Sequence, residues 1–193
     1  IDRDEQGNPR HIRVPSSNSG LLLDSELLLY RHRPEARRMV QATVDMLMGP
    51  DFLTEAGIRC RSLAFDHLMD FADYHGSYAV WFKETSDIMR GLLRHGYDYE
   101  AKKLAEAIVT TTYKMGEYFE FVFVDEKGKT LKPTDEDGNI IPLDKRSGVF
   151  ADKRCNIPEP GQAWSIGAFI SAVRILQASP LYQVGTMYND YGY

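Results

Sequence analysis

Apolar residues cluster in five stretches of this chain that predict helices, and polar, aromatic-rich connections separate most of them. From Arg33 onward, Ala36, Met39, Val40, Val44, Leu47 and Met48 fall on one helical stripe. Pro34 suits the first turn of that helix, and Gly49-Pro50 ends it. The shorter run from Leu21 to Tyr30 predicts another helix, with Asp24 or Ser25 as its cap. Val80, Trp81, Ile88, Leu92 and Leu93 predict a helix from about Val80 to Arg94, closed by His95-Gly96. The next runs from Tyr99 to Met115, capped by Asp98, with Leu104, Ala105, Ile108 and Val109 facing inward. The last runs from Gly161 to Ala178, and Ser179-Pro180 stops it.

The connections have a different character. Asp51 to Ser77 holds no long period, and Gly57 and Gly76 interrupt it. Phe119 to Val124 changes to aromatic and branched residues and predicts a short strand, with a turn at Asp125-Glu126-Lys127-Gly128. A polar stretch follows to about Asn156, so residues 119–156 are expected to form an inserted hairpin or loop. Long connections are uncommon in compact domains and often functional. The pattern therefore predicts an all-α fold of helical hairpins, with loops gathered on one side to build a site.

Composition narrows the function classes. The 193 residues suffice for a buried core, as one domain or as a piece of a larger one. The net charge of -5, from 23 basic and 28 acidic residues, carries no basic block. Nucleic acid is therefore a poor partner, because phosphate binding wants a clustered positive face. The longest apolar run is far short of the roughly 20 residues that span a bilayer, so no membrane partner is expected. Cys60 and Cys155 have no metal-type spacing, and thiols in a reducing cytoplasm are the simplest reading of them. Neither a metal nor a cofactor is expected. The first nine residues lack a methionine start and an apolar leader, and read as a turn within a longer chain.

Candidate chemistry sits in the loops. The segments 74–81, 115–121 and 158–165 put aromatic rings beside polar groups near a helix end, and the segment 53–62 adds Glu55, Arg59 and Arg61. Such a mixture suits sugars, whose ring faces stack on Trp or Tyr and whose hydroxyls take carboxylate, amide and guanidinium partners. Glycosidic cleavage generally uses two carboxyl groups across the scissile bond. Glu117, Glu120 and Glu159 are loop carboxylates flanked by apolar residues, a setting that raises a pKa. Taken singly, each position also has a plain structural reading: Trp81 and Trp164 as core, His75 as a turn residue, Arg59 and Arg61 as surface charge.

Their order adds information. Pro15-Ser16-Ser17-Asn18, the run Leu53 to Ser62, Tyr74 to Trp81, Glu117-Tyr118-Phe119 and Gln162-Ala163-Trp164-Ser165 follow one another at helix-compatible spacing. Together they resemble the carboxyl-terminal part of amylo-alpha-1,6-glucosidase (glycogen debranching) enzymes, over about residues 12–178. The resemblance implies that residues 1–193 are the later hairpins of an (α/α)6 toroid, here incomplete, which hydrolyses α-glucosidic bonds of an oligosaccharide or polysaccharide. It implies Glu117 as the base that activates water, with Glu120 as the alternative three residues on. Arg59, Tyr74, His75, Trp81, Gln162 and Trp164 would then shape the sugar subsites. The family's acid, an aspartate on an earlier hairpin, would come from the amino-terminal remainder of the same enzyme, leaving the isolated chain inactive. A non-catalytic glycan-binding or structural helical module is the alternative.

Overall fold

Pro34, with its fixed φ, opens α2 (Pro34–Leu47), and burial every third or fourth residue at Ala36, Val40, Val44 and Leu47 defines its inner face. The computed structural model describes residues 2–3, 5–10, 13–29, 33–68, 75–132, 137 and 158–178. In chain order, β1 (Asp2–Arg3) pairs antiparallel with β2 (Pro9–Arg10), and α1 (Asn18–Leu21) precedes α2. The expected helix over 21–30 is instead the end of α1 followed by two 3-10 turns, Leu22–Asp24 and Glu26–Leu28. The break falls at Ser25, whose backbone is extended and whose Oγ donates to the Leu22 carbonyl at 2.6 Å.

After α2, Thr54 and Gly57 close a tight hairpin between β3 (Leu53–Thr54) and β4 (Gly57–Ile58), inside the stretch that reads as irregular. Gly57 has φ +132°, and an added Cβ would lie 2.8 Å from the Thr85 side chain. A 3-10 segment, Leu63–Leu68, follows. Next come β5 (Ala79–Val80), α3 (Phe82–Arg94), α4 (Asp98–Met115), β6 (Val122–Val124), β7 (Thr130–Leu131) and α5 (Ala163–Ala178). Of the strand expected over Phe119 to Val124, the last three residues form β6, and the turn that follows is present. Val124 pairs with Thr130, Gly128 N–H donates to the Asp125 carbonyl, and β5 adds to the other edge through Ala79 opposite Phe123.

Two cores result. Helices α2 to α5 bury Val40, Val44, Ile88, Met89, Leu92, Leu104, Ile108, Ala168 and Ala172 around Leu23, Phe52 and Ile58. Beside them, Cys60, Tyr78, Ala79, Phe121 and Phe123 form a smaller cluster under the three-stranded sheet. Helices carry most of the described residues, and three small sheets accompany them. Most of the insert expected over 119–156, together with Cys155 and Tyr74, lies outside the described residues. Among the described residues, no helix is long and apolar enough to cross a membrane.

Candidate functional site

Strand β5 ends at Val80, and Trp81 sits at the entrance to α3 with an extended backbone, its carbonyl accepting Thr85 N–H at 2.9 Å. This placement turns the indole toward the end of the sheet. The His75 ring stacks on it at 5.1 Å between centroids with 5° between planes. On the far side Trp81 stacks on Phe121 at 5.3 Å, and Phe121 meets Phe123 edge-on at 5.1 Å. The ladder runs from buried Phe123 and Phe121 to half-buried Trp81 and exposed His75. Offset stacks of this kind add to simple burial, so the outer ring is held by a rigid stem.

The Glu120 carboxyl lies within electrostatic reach of His75. Desolvation holds its pKa above the usual carboxylate range, the charge of Glu159 adds to the rise, and His75 opposes it. Glu159 arrives from the turn before α5. Its carbonyl accepts Glu120 N–H at 2.8 Å, and its carboxylate accepts Gln162 Nε2 at 2.9 Å. Gln162 N–H donates to the Tyr118 carbonyl at 3.0 Å, and Ser165 Oγ donates to the Phe119 carbonyl at 2.7 Å.

Next to His75 opens a small pocket of about 140 Å3, lined by Val14 and Cys60 as well as by Ser16, Ser17, Asn18, Arg61 and Glu84. Glu84 accepts Ser17 Oγ at 2.7 Å and the Cys60 thiol at 3.6 Å. Arg61 lies 3.8 Å from Asp66. A carboxylate, a guanidinium, an amide and two hydroxyls around one small volume make a lining for a ligand rich in hydroxyl groups. Among the described residues, no group of three or more His, Cys, Asp and Glu is placed to hold a metal ion.

The predicted site residues divide. His75, Trp81 and Glu120 come together, and Gln162 joins them through Glu159. Glu117 does not: its carboxylate accepts Tyr118 N–H at 2.6 Å and lines a separate, largely apolar groove between α4 and α5 with Tyr113 and Phe169. Arg59 does not reach the pocket either. It is 1% exposed, and its guanidinium donates to the carbonyls of Ser77, Asp125 and Glu126 at 2.8, 2.9 and 3.1 Å. Trp164, 44% exposed, stands on the first turn of α5. Glu84 escaped sequence reasoning because, within the regular pattern of α3, it looks like any solvated first-turn acid. No family model matches the chain, and a search of curated proteins returns no significant match to it.

Proposed function

We propose that this chain is the later part of a helical-toroid glycoside hydrolase similar to the amylo-alpha-1,6-glucosidases, acting on α-glucan-like oligosaccharides or polysaccharides in the cytoplasm. The observation that carries this reading is the stacked His75–Trp81 pair with the Glu120 carboxyl, its pKa raised by desolvation, within electrostatic reach of His75 and Glu159. Glu120 takes the part of the base, in place of Glu117, whose carboxylate accepts the Tyr118 N–H and lines another groove. A carboxylate with raised proton affinity draws a proton from water more readily than an ordinary one. The ladder offers a face for a pyranose ring, and the Asn18–Arg61–Glu84 pocket offers partners for its hydroxyls. The acid comes from the part of the enzyme that precedes these residues.

The test is turnover by the full-length protein on linear and 1,6-branched α-glucans, read as released glucose. Glu120→Gln is expected to lower kcat by roughly 10²–10⁴-fold, and Glu117→Gln to leave it within a few-fold. Equal activity of Glu120→Gln and the parent protein removes Glu120 from the reaction. Tryptophan fluorescence of the 193-residue chain, titrated with the same sugars, separates the alternative. Binding with no release from the full-length protein identifies a glycan-binding module.

A further inference from the structure

The groove between α4 and α5 that holds Glu117 takes no part in the site described above, and its walls have a chemistry of their own. It encloses about 530 Å3, within the roughly 300–1,000 Å3 of small-molecule sites. Val109, Thr112 and Tyr113 from α4 line it, with Glu117 and Tyr118 from the loop beyond and Phe169 from α5. Tyr118 and Phe169 meet edge-on, with centroids 5.5 Å apart and planes at 78°, so the two rings make a corner. Aromatic faces carry negative potential, and they attract a cation placed within about 6 Å of their centroids.

The charge of the groove points the same way. Glu117 lines it, and no Lys, Arg or His does. One Glu117 oxygen accepts Tyr118 N–H at 2.6 Å, and among the described residues neither oxygen pairs with a cation. Lys114, the cation nearest in sequence, donates instead to Glu55 between β3 and β4 at 2.8 Å. Thr112 gives a second, independent sign. It is 6% exposed, and its hydroxyl has no hydrogen-bond partner among the described residues. A buried hydroxyl left unpaired is a standing cost to the fold, relieved when a ligand brings a partner. Threonine in a helix has two accessible χ1 rotamers, so the hydroxyl can turn to the groove.

We propose that this groove binds a protonated amine carried on an apolar, ring-sized body. The ammonium sits between Glu117 and the tyrosine faces, an N–H reaches Thr112 Oγ1, and the body fills the space beside Val109 and Phe169. The proposal is independent of the hydrolase reading, which gives Glu117 no part in the reaction. A sugar fits less well, because a largely apolar groove offers few partners to a ring of hydroxyls.

Phenethylamine, a cation at neutral pH, and 2-phenylethanol, a neutral molecule of the same size, are the probes. Methyl NMR of the full chain follows Val109 and Thr112 in the groove wall. The amine is expected to shift both saturably and to bind about tenfold tighter than the alcohol, the contribution of a charge-assisted bond. Glu117→Gln keeps the shape of the side chain, removes its charge, and should bring the two probes to equal affinity. Thr112→Val should weaken the amine several-fold and raise the melting temperature of the free protein, since an unpaired hydroxyl leaves the interior. Should Glu117→Gln lose its near-UV dichroism, the two probes compared on the parent protein decide. Equal affinities of the parent for amine and alcohol overturn the proposal, as do Val109 and Thr112 methyls that respond to neither. Maltotriose, run alongside, overturns it too if it moves those methyls at lower concentration than the amine.

Discussion

Arg59 shows at the scale of one residue how burial reassigns a charge. Desolvation pulls its pKa down, and Tyr78, Asp125, Asp51 and Asp66 oppose the shift. The guanidinium nonetheless stays charged, because its ordinary pKa is so high. Its planar fork joins the loop before β5 to the turn after β6 through three carbonyls, which a single ammonium could not match. Arg59→Met leaves the buried Ser77 carbonyl without its donor, at about 1–3 kcal/mol, while the Asp125 and Glu126 carbonyls, on less buried residues, turn to water. The urea midpoint is therefore expected to drop by the equivalent of roughly 1–3 kcal/mol, and Arg59→Lys to fall between. An unchanged midpoint for Arg59→Met would show that water replaces the clamp. Nothing in the sequence separates this arginine from Arg61, two residues on, which lines the pocket instead. The difference lies in what each residue pairs with, Arg59 bridging to Val80 and Arg61 to Ser16.

Among the elements, the long helices were legible because their periodicity is strong. The stripe over 33–50 becomes α2, the run to Met115 becomes α4, and only the ends shift. Helix α3 starts at Phe82 and not at Val80, and Tyr97, not Asp98, precedes α4. Close contacts were not legible. Gly91 reads as a weak point in α3, yet an added Cβ there would lie 2.6 Å from Leu23 Cβ and 2.9 Å from the Asp24 nitrogen. Gly91→Ala should cost about 1–3 kcal/mol from overpacking, more than the ~1 kcal/mol that alanine gains in helix propensity. Gly167 in α5 is the control, since its Cβ would meet nothing within 4 Å, and Gly167→Ala should stabilise. Thermal melts of the two variants that move in the same direction would contradict this account. The candidate site depended on pairings of the same hidden kind. Glu120 and Glu159 read as separate loop acids, and the bonds joining them connect segments far apart in sequence.

In the whole molecule, α5 is apolar on every side but buries only Ser165, Ala168 and Ala172. Ile166 and Ile170 remain 36% and 45% exposed, beside Trp164. A helix apolar all round belongs inside a larger packed body, which supports the proposal that further helices of a toroid complete this chain. Within the 193 residues the exposed face contributes little to folding. Ile170→Glu is expected to change the urea midpoint by no more than about 0.5 kcal/mol, whereas Ala172→Glu, on the buried side, should unfold the protein. A large loss from Ile170→Glu would mean that this face is already covered.

The fastening between 118–120 and 159–165 also has a meaning in time. Its Ser165–Phe119 bond closes a circuit of 46 residues, while the α3–α4 hairpin turns within a few. Local contacts form early and distant closures late, because the entropy of a long loop must be met before its bonds reward it. The α3–α4 hairpin should consequently be in place before the turn at 159–162 docks on 118–120. A nascent chain would then bring Glu159 to the backbone of Glu120 as one of its last acts of folding.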